Sequence, residues 1–355
     1  MNNFRTLVFT SIYFLVTTSA FAQDSTGLKT SVSVDIAGEF SADKESDAKD
    51  KIGPRSVDVI FYAPVDHIFD GVLALAAHDE AGVSMFELHE AYIGSSKIIP
   101  NLSFKLGQYF LGIGRLNHYH RHEWPFITAP EVHARFFGDE GVNDSGLEIS
   151  YLVPLPFYLD ITIGATNGFV YGHAHDEGTK PITPMYYSHI KFFESIGELD
   201  IQPGITLLKR HSSLGQKMSL YGFDLTGKVK KGKTLVFLWQ SELWQRILEF
   251  EGSTKQEIST GFYMYPQMGL TNGLEFGVRV DYLTVNTLKD ATGNSVDNSE
   301  AALVPTLSFR PSEFSLLRAS YKQKRSQTDG EDNVDSKTFE FQATYNLGAH
   351  PSHAF

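Results

Sequence analysis

The stretch VPLPFYLDITIGATN, residues 153–167, contains the features that decide the fold of this chain. It opens with a short connection that contains two prolines and closes at the start of a much longer connection. Between them, Leu159, Ile161 and Ile163 alternate with the more polar Asp160 and neighbouring Thr and Gly residues. Alternation with a period of two residues predicts a β-strand that has one apolar face.

Similar alternation recurs along the chain, for example at 102–108 and 337–345. We count about sixteen such segments, each near the length that a membrane-spanning strand needs. In a soluble β-sandwich the apolar face would point to a core, whereas in a transmembrane barrel it would point to lipid. The alternation alone leaves both architectures open.

Short and long connections between these segments alternate along the chain. The short connections are 65–69, 97–101, 153–156, 195–199, 230–232, 267–271 and 310–312. The long ones are 42–55, 112–143, 167–183, 249–254, 286–298 and 324–336, with 79–84 and 211–216 as less clear members. This sorting favours an all-β fold, an antiparallel transmembrane β-barrel with short periplasmic turns and long extracellular loops. About sixteen strands would leave an aqueous channel along the axis.

The N-terminal residues 1–22 have the pattern of a secretory signal peptide. Arg5 supplies a positive charge, 7–16 is an apolar run, and Ala20-Phe21-Ala22 forms a cleavage site. We therefore expect residues 23–355 to form a single barrel in the cell outer membrane.

The C-terminal residues 349–355 follow the last predicted strand. Pro351 lies within them and cannot donate a hydrogen bond to a strand ladder. We therefore expect a short periplasmic tail that ends at Phe355.

Composition excludes several classes of function. The chain has a net charge of −12 and no cysteine, which argues against nucleic-acid binding and excludes disulfide scaffolds and thiolate metal sites. Aromatic residues make up 13%, which suits aromatic girdles at two membrane interfaces. No P-loop, dinucleotide fingerprint or G-x-S-x-G motif is present, so we expect no enzymatic activity.

Three nearby segments carry a family resemblance: Glu90-Ala91-Tyr92-Ile93, 106–110 and 112–117. Together they resemble the "EAY … GQ … G … N" pattern of the phosphate-selective porin (porin O/P) type of outer-membrane barrel. The resemblance implies a porin-like barrel with a constricted channel. In many porins the third outer loop folds into the lumen. Connection 112–143 is the third outer loop by strand count, so it is the candidate for the constriction.

Connection 112–143 is rich in histidine. His118, His120 and His122 share one face if the segment is extended, with neighbouring imidazoles about 6–7 Å apart. If it is helical, His118 and His122 share a face instead. Imidazole and carboxylate donors suit Zn, Cu, Ni or Fe, so a divalent-metal site is a hypothesis here. His133, Glu123 or Glu131 could complete it.

A second pair, His173 and His175, lies in connection 167–183. This connection is the next outer loop, so the pair could lie near the first group at the same opening of the barrel. Two other interpretations stay open for these histidines. They could pack and hydrogen bond without any ligand, or they could form a gate that responds to pH.

These features predict a porin-like outer-membrane channel for passive diffusion of small hydrophilic solutes or ions, linked to divalent metal (zinc) uptake through the His-rich loop. The acidic balance favours cations. Expected partners are outer-membrane lipid and lipopolysaccharide, the barrel assembly machinery, and the solutes or metal ions, with the chain a monomer or a homotrimer and no nucleic acid bound. Rival interpretations are a non-conducting receptor or adhesin and an outer-membrane enzyme.

Overall fold

The computed structural model describes residues 27–42, 51–80, 83–168, 184–211, 216–232, 234–250, 256–271, 273–289 and 295–348. These residues form a closed antiparallel barrel of sixteen strands, in which each strand pairs with its neighbours in sequence and the first closes on the last. The predicted barrel class and strand number are confirmed. The predicted signal peptide 1–22 and tail 349–355 lie outside the described residues.

The strands contain between 9 and 18 residues. They are β1 (Lys29–Ser41), β2 (Lys51–Pro64), β3 (Asp70–Glu80), β4 (Val83–Ile99), β5 (Leu102–Phe110), β6 (Asn143–Leu152), β7 (Tyr158–Thr166), β8 (Met185–Ile196), β9 (Leu199–His211), β10 (Gln216–Lys231), β11 (Thr234–Phe250), β12 (Gln256–Thr271), β13 (Leu274–Lys289), β14 (Ser295–Ser312), β15 (Ser315–Thr328) and β16 (Val334–Gly348). Closure pairs Val34 of β1 with Tyr345 of β16, so neither strand leaves an open edge.

The barrel is polar inside and apolar outside. On β16, Glu340, Gln342 and Thr344 are buried, whereas Phe339 is 47% exposed and Tyr345 is 41% exposed. A soluble β-sandwich would bury the apolar face, so this inversion decides between the two architectures. Within the described residues no helix has the length and hydropathy of a membrane span.

The two ends of the barrel differ in the length of their connections. The end formed by 65–69, 100–101 and the other predicted short turns is tight, and Asn101 there adopts φ 63°, a conformation typical of short hairpins. At the opposite end the long connections 42–50, 111–142 and 167–184 join the strands.

Two predicted long connections, 286–298 and 324–336, are shorter in the structure. β13 and β14 continue to pair as far as Lys289 and Ser295, and β15 and β16 pair as far as Ser326 and Val334. An antiparallel ladder needs backbone hydrogen bonds but no apolar face, so these polar hairpins extend the wall where alternation stops.

An apolar cluster lies inside the barrel, between the connection 111–142 and the inner wall. It includes Trp124 and Phe137 of the connection and Trp244, Tyr263 and Tyr265 of the wall. The connection thus brings its own apolar core into the barrel and fills part of the lumen.

Candidate functional site

The connection 111–142, called the lumen loop below, crosses the inside of the barrel. It contains two 3-10 helices, Leu116–His118 and Arg121–Glu123, and one α-helix, α1 (Glu131–Phe137). The predicted constriction loop 112–143 therefore lies in the lumen, where it narrows the path between the two ends.

The middle of the lumen loop is held by two arginines of the wall. Arg55 on β2 donates to the carbonyl oxygen of Ile127 at 2.6 Å and pairs with Asp35 on β1. Arg279 on β13 donates to the carbonyl oxygen of Thr128 at 2.5 Å. Buried backbone carbonyls need such partners, and charged donors are the stronger ones.

The start of the lumen loop is fixed against β9 and β11. The Gly114 amide donates to Thr206 Oγ1 at 3.1 Å, and the amides of Arg115 and Leu116 both donate to the Glu242 carboxylate. Gly114 has φ +55°, and a Cβ there would lie 2.5 Å from Trp244 Cζ2. Only glycine fits this close approach at low cost.

Helix α1 is anchored by an ion cluster. The Glu131 carboxylate lies 2.5 Å from Lys322 Nζ and 2.7 Å from Lys324 Nζ, both on β15. Burial alone would raise the pKa of Glu131, but the two lysines outweigh it and lower the pKa to about 2. Glu131 is thus ionised at neutral pH and ties the loop to the wall.

The predicted metal ligands do not form one group. The chain bends through two 3-10 helices, neither extended nor α-helical, so the histidines of the repeat diverge. His118 lies beside His189, with ring centroids 5.9 Å apart, whereas His120 stacks on His122 at 5.7 Å. His118 is therefore separated from the pair that the repeat was expected to align with it.

Two further predicted ligands have other partners. The His133 ring packs 4.9 Å from both Trp124 and Phe137, and burial lowers the pKa of His133 to about 3. The Glu123 carboxylate accepts a hydrogen bond from the His120 amide at 3.2 Å, as a helix cap. His133 is thus a neutral packing residue. His173 and His175 lie outside the described residues.

His120 and His122 instead face two carboxylates of the wall, which the sequence did not indicate as partners. His122 Nδ1 lies 3.2 Å from Asp58 Oδ2 on β2, and His120 Nε2 lies 3.3 Å from Glu90 Oε2 on β4. Burial would lower the pKa of His120, but Glu90 and Asp58 outweigh it and raise the pKa to about 9.

Beside this pair lies a second group of imidazoles and carboxylates, formed by His78, Glu87, His89 and Glu140. A β-bulge in β4 places it there, because Ala74 pairs with Glu90 while Leu75 pairs with Leu88. The two neighbouring residues His89 and Glu90 thus both face the lumen, which strict alternation forbids. Bulges commonly redirect side chains next to functional sites.

Cavities with polar lining adjoin the lumen loop inside the barrel, and three of them contain several charged residues. One of about 410 Å³ is lined by Lys105, Lys191 and His118 together with Glu148 and Asp160. A second, of about 210 Å³, adjoins it and is lined by Arg115, His118 and Lys191.

The third cavity, of about 450 Å³, is bounded by the inner faces of β10 to β14. Four of its lining residues are cations, Arg115, Lys228, Lys230 and Arg310, and two are carboxylates. Lys228 and Lys230 are neighbours on β10, whereas Arg115 and Arg310 are far from them in sequence, so the four cations come together only in the fold. The wall on this side carries an excess of positive charge.

Comparison with known proteins supports the fold. No protein-family model matches the chain. An uncharacterized protein of Aquifex aeolicus (strain VF5) is 26% identical over 332 residues, which cover 84% of this chain and 69% of that protein.

Two solved structures are similar at low identity. The outer membrane channel DcaP of Acinetobacter baumannii has a TM-score of 0.62 at 12% identity, with 90% of this chain and 97% of that one covered. An anion-selective porin from Comamonas acidovorans has a TM-score of 0.60 at 9% identity, with 90% and 99% covered. The chain thus has the barrel fold of outer-membrane porins, whereas the phosphate-selective type stays a prediction.

Proposed function

We propose that this protein is an outer-membrane channel through which small hydrophilic solutes and ions diffuse passively. One observation carries the proposal: a sixteen-stranded barrel with a polar interior holds a loop across its lumen, and polar cavities remain beside that loop. Barrels of this size enclose aqueous channels, and the lumen loop would set the size limit.

The barrel lies in the outer membrane, with its apolar outer face against lipid and lipopolysaccharide. Ile163, Leu307 and Phe339 are among the large side chains exposed there, at 51%, 45% and 47%. Such a band is unfavourable in water and favourable in a bilayer. Insertion would use the barrel assembly machinery, and the same outer face could pack in a homotrimer.

Positive and negative side chains line different parts of the lumen, and this separation of charge would make the channel favour some solutes over others. The cavity bounded by β10 to β14 has four cations against two carboxylates, and the ion pair between Arg310 and Glu275 at 3.6 Å accounts for one of each. Arg115, Lys228 and Lys230 then leave an excess that attracts anionic groups. The acidic composition of the whole chain would act in the opposite sense, at the surface.

Liposome swelling with neutral sugars of graded size tests the proposal. The refolded mature protein should admit small sugars quickly and larger ones progressively more slowly, because a constricted aqueous path filters by size. Liposomes that swell no faster than protein-free ones would contradict passive diffusion and favour a receptor, an adhesin or an enzyme.

A second candidate is a channel that serves divalent metal (zinc) uptake. The observation that favours it is the wall of imidazoles and carboxylates around His89 and His120, on the lumen side of β2 to β4. Zinc influx into liposomes that contain a zinc-sensitive dye would exceed calcium influx if these groups assist passage. Equal influx of both ions would leave general diffusion.

A further inference from the structure

We propose that His78, Glu87, His89 and Glu140 form a resident divalent-metal site, suited to Zn²⁺, that fastens the lumen loop to the barrel wall. The site goes beyond solute diffusion, because the ion would be a structural part of the constriction rather than its cargo. Its ligands differ from the His-rich repeat, since only Glu140 belongs to the lumen loop.

The donor atoms converge on one point. His78 Nε2 and His89 Nε2 lie 2.9 Å apart, and Glu140 Oε2 lies 3.4 Å from His89 Nε2. Glu87 Oε2 lies 4.0 Å from the same nitrogen. One donor atom from each of the four residues falls within 4.8 Å of all the others. Zinc bonds of about 2.0–2.1 Å in a tetrahedron separate donors by about 3.3 Å, so small side-chain rotations would complete the shell.

The imidazole of His89 is oriented by a carboxylate behind it. His89 Nδ1 lies 3.5 Å from Asp58 Oδ1, on the far side of the ring from Nε2. Ser56 donates to the same carboxylate group at 3.0 Å. At this distance the negative charge of Asp58 favours a proton on Nδ1, which would leave Nε2 as the ligand, an arrangement that zinc sites use widely.

Charge also favours a cation at this place. The carboxylates of Asp58, Glu87, Glu90 and Glu140 lie among the imidazoles. His120 beside Glu90 and Arg121 near Glu140 offset part of this negative charge, and the remaining carboxylates repel one another unless a further cation between them offsets their charge. A divalent ion between Glu87 and Glu140 would do so, and donors of imidazole and carboxylate type match Zn²⁺.

The location of the four ligands, at the end of the lumen loop, indicates the role of the ion. Glu87 and Glu140 are 20% and 18% exposed, so an ion can reach the site, whereas His89 is 4% exposed. Glu140 lies just before the start of β6, at the end of the lumen loop. A bond from this residue through the ion to β3 and β4 would close the loop and stabilise its folded position.

The test is metal binding by the refolded mature protein in detergent micelles, measured by titration calorimetry with Zn²⁺. We expect one ion per chain, and a weakening of at least about tenfold in His78→Gln and in Glu140→Gln. His118→Gln is the matched control, because His118 lies in the same loop and away from the site; its affinity should equal that of the wild type. Co²⁺ should give the visible absorption of a four-coordinate site.

Three results would overturn the proposal. A correctly folded wild type could fail to bind Zn²⁺, or His78→Gln and Glu140→Gln could keep full affinity for it. Loss of Zn²⁺ binding in a His173→Ala/His175→Ala variant would place the site elsewhere. Folding is checked by the heat-dependent electrophoretic mobility of the barrel. If a variant of His78 fails to fold, Glu140→Gln decides, since Glu140 lies outside the strands. Binding in micelles needs no conduction, so failure of the channel proposal would leave this result readable.

Discussion

The carboxylate of Glu131, in the lumen loop, lies 2.7 Å from Lys324 Nζ on β15, on the opposite side of the barrel from the strands that the loop joins. Together with Lys322, this lysine compensates a carboxylate that is 7% exposed. The contact shows that the loop spans the lumen and is anchored to the lysines of β15.

Glu131→Gln should weaken the loop's attachment. The substitution removes the charge but keeps the size, so we expect a loss of about 1–3 kcal/mol in unfolding free energy. Asp335→Asn is the matched control, because its ion pair with Arg325 is exposed on both sides and solvent screening leaves it little effect on stability. Urea unfolding in lipid vesicles, followed by tryptophan fluorescence, measures both. Equal losses would contradict the anchoring role.

The stabilisation from Glu131 should disappear in acid. Its pKa is lowered from 4.5 to about 2, so the unfolded chain binds the proton more readily than the folded one between these values. The contribution is therefore complete above pH about 4.5 and is lost as the pH falls towards about 2. The stability difference between wild type and Glu131→Gln, measured from pH 7 downwards, should shrink over that window. A difference that is unchanged at pH 3 would refute this assignment.

Gly114→Ala should displace the start of the lumen loop. The new Cβ would meet Trp244 at 2.5 Å and Glu242 Oε1 at 2.7 Å, in addition to the strain of φ +55°. Gly197→Ala is the control, since Gly197 has φ +66° but nothing within 4 Å. Both variants bear the about 1–2 kcal/mol of a left-handed backbone, and only Gly114→Ala adds a clash. We expect larger and noisier conductance in Gly114→Ala alone; matching traces would argue against the close approach.

The double variant Lys228→Gln/Lys230→Gln should make the channel less permeable to anions. It removes two of the four cations that line the cavity bounded by β10 to β14, so the local excess of positive charge falls to balance. The reversal potential in a KCl gradient should shift towards cation preference by roughly a twofold change in permeability ratio. Lys231→Gln, at the exposed end of β10, should leave the potential unchanged. A null shift in the double variant would show that this wall does not select ions.

The fold was predictable because its signals are local. The alternation around Ile163 and the sorting of short and long connections each follow from the geometry of a hairpin barrel. The barrel that they predicted is confirmed, although connections 286–298 and 324–336 are shorter than predicted. The direction of the apolar face was not predictable from alternation, because a strand has the same pattern against lipid and against a core. The paired residues beyond Asn286 on β13 and beyond Lys324 on β15 were missed, since backbone pairing there proceeds without an apolar face.

The site was only partly predictable because it depends on contacts between distant segments. The histidine repeat correctly drew attention to the lumen loop, but a bend through 3-10 helices separates His118 from His120. The group around His89 needed the β-bulge beside Leu75 and the register between β3 and β4. Single-sequence patterns contain neither, although an unusual His-Glu pair within a strand is a signal that a bulge could explain.

The most direct test of the central claim, that the lumen loop constricts an open channel, is single-channel conductance in a planar bilayer. The wild type is compared with a variant in which residues 116–137 are replaced by a short Gly-Ser linker, after both are shown to form heat-modifiable barrels. We predict a steady conductance for the wild type and an increase of roughly twofold or more for the variant, because the loop occupies part of the pore. A folded wild type that conducts no current, or two proteins with equal conductance, would contradict the account.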